Sequence, residues 1–146
     1  MSHYLPAGLP APMASPDGLD APFWEGALAN RLIIQKCNDC KSWLWGPEWI
    51  CHGCLSFDIG WQETDPEGII YSWERIWHPV HPTFKKEHLP YIVVLVELPQ
   101  AGNVRLVGNL LGDPKQTVEI GSKVQAVFEQ HDTEDKPYAL IQWQTV

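Results

Sequence analysis

Four cysteines, Cys37, Cys40, Cys51 and Cys54, fall within the run CNDCKSWLWGPEWICHGC and are spaced C-x2-C-x10-C-x2-C. Each C-x2-C pair folds as a tight knuckle that points both thiolates at one centre. Two knuckles joined by a short hairpin complete a tetrahedral S4 site. The chemistry this spacing predicts is structural Zn2+, because a closed shell of four thiolates leaves no coordination position for water or substrate. A pair of disulfides belongs mainly to secreted chains, and iron on the same ligand set is the other alternative. Four thiolates and one Zn2+ leave about −2 on the site, and neither His52 nor His131 is needed as a fifth ligand.

Outside the cysteines the chemistry thins out. With all four thiols assigned to metal, no thiol nucleophile remains. The chain has no G-x-S-x-G elbow, no Gly-rich phosphate loop and no H-x-E deaminase signature. The remaining polar constellation is His78-Pro-Val-His81-Pro, followed by Lys85, Lys86 and His88. The prolines keep both histidines in extended backbone, so the two rings point to different sides and a metal pair is not expected. The segment reads as a solvated loop or as a barrel-rim loop that touches a partner. In a rubredoxin, Pro usually follows the first Cys of the second knuckle; here that position is His52.

The elements that must position these residues fit one domain or two very small ones, since the chain has 146 residues. A 45 % apolar fraction excludes disorder over most of the length. A net charge of −8 argues against nucleic acid or an anionic membrane as the main partner. There is no membrane-length apolar run and no basic-then-apolar start, which together give the expectation of a cytoplasmic chain. Residues 1–19, rich in Pro and small side chains, read as a flexible arm able to order on a surface. Residues 20–31, DAPFWEGALANR, read as a docking helix of about ten residues. Asp20 is its expected N-cap, Pro22 falls in its first turn, and Glu25 sits early where the dipole favours an acid. So short a helix needs a surface on which to bury Phe23 and Trp24.

Residues 32–65 read as a zinc ribbon turning at Gly46-Pro47, and Asp65-Pro66-Glu67-Gly68 marks the next boundary. Residues 66–146 hold five predicted strands: IIYSWERIWH, YIVVLVEL, VRLVGNLL, SKVQAVFEQH and PYALIQWQTV, with GDPKQTVEIG as a turn-rich link. Five short strands in about 80 residues suit a Greek-key OB barrel better than a seven-stranded sandwich. The predicted fold class is therefore mainly β: a short N-terminal helix, a rubredoxin-like zinc ribbon and a C-terminal five-stranded OB-fold barrel. Eight tryptophans are more than such a domain needs. Trp43, Trp45 and Trp49 straddle the ribbon hairpin, and Trp73 and Trp77 are expected on one face of the first barrel strand. Core packing accounts for most of them, and partner hot spots for the rest.

The order of parts, carried by FWEGALANRLIIQKCNDC, WICHGC, PYIVVLVEL, VRLVGNLLG and VEIGSKVQAVFE, resembles the zinc-ribbon/OB-fold acyl-CoA-associated family over about Asp20 to Gln144. The resemblance implies a small partner subunit of thiolase-like enzymes acting on acyl-CoA thioesters by thiolysis, acyl transfer or retro-aldol cleavage. Such a subunit carries no complete active site, and two copies are expected on a catalytic dimer. Read from the residues themselves, Phe23 and Trp24 are expected to cover either the ribbon–barrel junction or the partner, and Trp77, His78, His81, Lys85 and Lys86 are candidates, with them, for contact with the partner or the acyl-CoA. The alternative is a stand-alone OB-fold module for acyl-CoA or single-stranded nucleic acid. The nucleic-acid form needs a basic groove that Arg75, Arg105 and the Lys85-Lys86 pair do not supply.

Overall fold

The computed structural model describes residues 6–133 and 135–146, so the first five residues of the expected arm lie outside the described residues. Helix α1 (Ala21–Leu28) leads into strand β1 (Leu32–Cys37), which β2 (Trp43–Leu44) and β3 (Ile59–Thr64) flank in an antiparallel ribbon. The second sheet contains β4 (Glu67–Ile76), β5 (Tyr91–Leu98), β6 (Val104–Asn109), β7 (Lys123–His131) and β8 (Tyr138–Thr145), in the order β6-β5-β4-β7-β8. A parallel bridge from Leu110 to Trp143, and the Leu111 N–H donating to the Trp143 carbonyl at 2.7 Å, join the two outer strands. The result is a near-closed five-stranded barrel. The fold class is as the sequence predicts. No helix among the described residues is long and apolar enough to cross a membrane.

The strands follow from alternation. In β5, Ile92, Val94, Val96 and Leu98 are all fully buried at every second position, the period of a strand with one face in the core. They pack with Ile70, Leu106, Leu110, Val124 and Trp143 inside the barrel. Ala27 of α1 and Leu32 and Ile34 of β1 belong to the same cluster, so ribbon, helix and barrel share one core. Strand β4 starts at Glu67, earlier than the alternation suggests, and slips register between Ile70 and Ser72. Such a bulge bends a strand. Here it lets β4 pair with β7 over Glu67–Ile69 and with β5 from Ile69 onward.

Several local expectations are corrected. The helix has eight residues. Asp20 holds the N-cap position, but its carboxylate accepts from the Ser15 N–H at 2.8 Å and the Trp24 indole N–H at 3.0 Å instead of from helix amides. Glu25 falls beyond the first turn. Trp77 lies past the end of β4 and is 56 % exposed, whereas Trp73 packs against the core, so the two do not share a strand face. The helix end is closed from far along the chain: Asn30 takes a left-handed conformation, and the Gln130 amide of β7 donates to Asn30 Oδ1 at 3.0 Å and to the Ala27 and Leu28 carbonyls. The link over residues 112–121 is pinned by Arg75, which donates to the Pro114 and Gln116 carbonyls at 3.0 and 2.5 Å.

Candidate metal centre and junction cleft

The two cysteine knuckles repeat one hydrogen-bond pattern. Lys41 N–H donates to the Cys37 carbonyl and Leu55 N–H to the Cys51 carbonyl; Cys37 N–H donates to the Ser42 carbonyl and Cys51 N–H to the Ser56 carbonyl. Lys41 and Leu55 both take positive φ, at 65° and 63°, which turns the chain back so that the second cysteine of each pair faces the first. All four Sγ atoms lie within 4.8 Å of one another, with Cys37–Cys54 at 3.7 Å and Cys40–Cys51 at 3.6 Å. A tetrahedron with Zn–S bonds of about 2.3 Å has sulfur–sulfur edges of about 3.8 Å, so the cradle fits the ion.

Cys37 and Cys51 are buried, while Cys40 and Cys54 face solvent. In the metal-free cluster the Ser42 hydroxyl, helped by the Ser42 backbone, holds the Cys40 thiol down at about 6. At Cys54 the backbone hydrogen bond from Ser56 favours the thiolate, but burial and the neighbouring sulfurs of Cys40, Cys37 and Cys51 outweigh it and push the thiol up to about 12. Crowded thiols resist ionising together until a cation compensates them. Gln35 holds the hairpin between the knuckles, its amide donating to the Glu48 carbonyl and accepting from the Glu48 N–H, both at 2.9 Å. His52 lies beside Glu48, and His131 stacks on Tyr138, so neither is drawn to the sulfurs.

The other sequence-predicted residues separate into two places. Phe23 and Trp24 sit at the ribbon–barrel junction, where Phe23 meets Trp24 and Trp45 edge to face at 5.1 and 4.9 Å. These rings form one wall of a cleft of about 470 Å³, whose far wall is β6 and β8. Trp77, His78, His81, Lys85 and Lys86 all lie on the β4–β5 connection. His81 Nδ1 accepts from the Thr83 N–H at 3.2 Å, a local turn, and both lysines are exposed. Phe84 anchors this loop by packing on Tyr91 at 5.1 Å.

Sequence reasoning missed two further features. Glu129, Gln142 and Asn109 form a buried polar chain: the Gln142 amide donates to Glu129 at 2.8 Å, Asn109 N–H donates to Gln142 Oε1 at 2.7 Å, and the Asn109 amide donates to the Ile92 carbonyl at 3.1 Å. The available signal was a polar residue at an inward position of an otherwise apolar strand. Around the second knuckle, Trp49, Ile50, Leu55 and Phe57 are exposed at 41–77 %. Trp49 also donates its indole N–H to Asp17 of the arm at 3.0 Å.

Residues 24–60 match the ChsH2 rubredoxin-like zinc ribbon domain, and residues 61–129 match the ChsH2 C-terminal OB-fold domain. The structure superposes on a chain of the Ltp2-ChsH2(DUF35) aldolase with a TM-score of 0.77 and 34 % identity, covering 92 % of this chain and 98 % of that one. The chain belongs to the ChsH2 (DUF35) family. Its ribbon carries structural zinc, held by the four cysteines. A probable enoyl-CoA hydratase alpha subunit of Thermomonospora curvata is 40 % identical over 116 residues. The match takes in 79 % of this ChsH2-type chain, which spans about a third (35 %) of that subunit's length. A DUF35 protein of unknown function from Sulfolobus solfataricus shares the fold at a TM-score of 0.60 and 18 % identity, over 90 % of this chain and 87 % of that one.

Proposed function

We propose that the chain is a non-catalytic, zinc-bearing subunit of a thiolase-like enzyme that acts on acyl-CoA thioesters in the cytoplasm. The observation that carries this reading is the near-complete correspondence, over 92 % of this chain and 98 % of the other, with a chain of an assembly described as an aldolase. The name of the Thermomonospora relative adds an acyl-CoA context. The partner supplies nucleophile and acid–base groups for carbon–carbon chemistry beside the thioester: retro-aldol cleavage, thiolysis or acyl transfer. Degradation of lipid, steroid or aromatic chains is the setting that suits such a reaction. Two copies of the chain flank a catalytic dimer. Zinc has no open ligand position, so it holds the ribbon rigid and leaves the reaction to the partner.

Several surfaces support this role. Trp49, Ile50, Leu55 and Phe57 expose apolar area of the kind that partners cover. Lys85 and Lys86, exposed on the same connection as Trp77, His78 and His81, offer a cation pair to a partner or to CoA phosphates. Two barrel cations are already engaged within the fold: Arg105 is paired with Glu97 at 2.9 Å and stacked over Tyr71 at 3.6 Å, and Arg75 donates to carbonyls. The test is a tagged pull-down of the full chain from its native host at moderate salt, with mass spectrometry of the eluate. Stoichiometric recovery of a thiolase-fold protein is expected. Recovery of nucleic-acid machinery alone, or of no stoichiometric protein, overturns the reading in favour of a stand-alone binding module.

A further inference from the structure

The outer edge of the ribbon has the attributes of a strand-addition site. Strand β3 pairs with β1 alone, in a register that sets Ile59 opposite Cys37 and Thr64 opposite Leu32. One residue before β3, the Asn38 N–H donates to the Asp58 carbonyl at 2.9 Å. Hydrogen-bonded pairs alternate along an antiparallel ladder. Gly60, Gln62 and Thr64 therefore spend their backbone groups on β1, while Ile59, Trp61 and Glu63 turn theirs outward. The other side of β1 agrees, because the Cys37 N–H, opposite Ile59, donates to the Ser42 carbonyl instead. The Ile59 N–H is taken by the Phe57 carbonyl at 3.0 Å. Those of Trp61 and Glu63 have no backbone partner among the described residues.

Sheets usually blunt such an edge with proline, a bulge or an outward charge. Strand β3 contains no proline and pairs without a register shift. Its one charge, Glu63, is folded back onto Arg31 at 2.7 Å. The ends of the edge differ in chemistry. Leu55 and Phe57, 73 % and 77 % exposed, precede it, and the exposed acids Asp65 and Glu67 follow it.

This polarity selects the occupant. A second copy of the chain, paired antiparallel about a two-fold axis, would lay each acidic end against the other's apolar end. It would also join two chains of net charge −8. A segment with apolar residues toward one end and lysine or arginine toward the other matches both ends. We propose that β3 receives such an extended segment of the partner enzyme as a fourth strand of the ribbon. Naming the enzyme as its source rests on the subunit reading above; the open edge and its polarity do not.

The test uses the zinc-loaded full chain and the thiolase-fold protein recovered in the pull-down. Amide hydrogen exchange at Trp61 and Glu63 is expected to slow at least about tenfold on assembly, because an interstrand bond protects both. Glu63→Pro and Glu63→Ala both remove the Arg31 contact. Only proline removes the outward N–H, a change that edge strands tolerate. Glu63→Pro is expected to bind the partner about tenfold more weakly than Glu63→Ala, since it leaves an incoming carbonyl unmet. Unslowed exchange in the assembled complex, or equal affinity of the two variants, overturns the edge assignment and leaves the subunit reading intact. Should Glu63→Pro fail to fold, exchange in the parent chain decides alone. Absence of a thiolase-fold partner overturns both readings together.

Discussion

At the scale of single residues, the metal centre separates two kinds of cysteine. Cys37 and Cys51 are buried against Leu44 and Ile59, whereas Cys40 and Cys54 face outward. Cys51→Ser removes a ligand at the buried side. It is expected to abolish stoichiometric zinc and lower the melting temperature, measured by metal analysis and calorimetry; retained zinc with unchanged melting refutes the S4 assignment. Glu129 gives a second prediction. Glu129→Ala leaves the Gln142 amide without its 2.8 Å acceptor and is expected to destabilise by about 2 kcal/mol in a denaturant titration. Tyr91 gives a pH signature. Burial, and then the Glu74 carboxylate, push its phenol above the usual range. The folded state therefore holds that proton more tightly than the unfolded chain. Its stabilising effect is complete below about pH 10 and is lost as pH rises through the folded value. Tyr91→Phe should flatten the alkaline loss of stability relative to the parent chain, and parallel alkaline limbs would show the phenol to be irrelevant.

At the scale of elements, β4 is the strand on which the barrel turns. Its bulge between Ile70 and Ser72 allows it to serve both neighbours, and Gly68, paired with Val124 of β7, lies tight against β5. A Cβ at Gly68 would strike the Val96 side chain and lie 2.7 Å from the Glu97 carbonyl oxygen. Gly68→Ala is thus expected to destabilise by about 1–3 kcal/mol, because the obstruction includes backbone that cannot rotate away. An unchanged denaturation midpoint would show that the corner relaxes freely. The five barrel strands were legible within a few residues because alternation over six to ten residues carries a strong period-2 signal. The slip inside β4 was not: it shifts the inward phase from Ile70 to Trp73, but a run as apolar as IIYSW fits either phase, so the pattern does not reveal where the pairing changes. Trp77 misled for the same reason: spacing continued past the point at which hydrogen bonding stopped.

At the scale of the whole molecule, α1 acts as the wedge that makes ribbon and barrel one cooperative body. Ala27 is fully buried, and Gly26 packs so closely on Ile33 that its missing Cβ would strike that side chain and come within 3.1 Å of the Arg31 carbonyl. Trp24 closes the outer side through Phe23 and Asp20. Trp24→Ala is expected to lower both thermal stability, by about 2 kcal/mol, and affinity for the partner enzyme. No change in either quantity refutes the docking role of this helix. The shared core also implies that stripping zinc with a chelator destabilises the barrel along with the ribbon, seen as one transition moving to lower temperature.

The zinc ligands were determined by sequence alone, because C-x2-C is a local geometry that closes within each knuckle. The barrel strands followed from local alternation. The tertiary structure decided the rest, through contacts between residues that no local pattern links. Gln130 reaches the end of α1 across 100 positions, and Asn109 meets Gln142 across 33. The cleft exists only because Phe23, Trp45, Val107 and Ile141 come from four segments brought together by packing. Each segment carries its own apolar residues in sequence, but the space between them is a property of the closed fold.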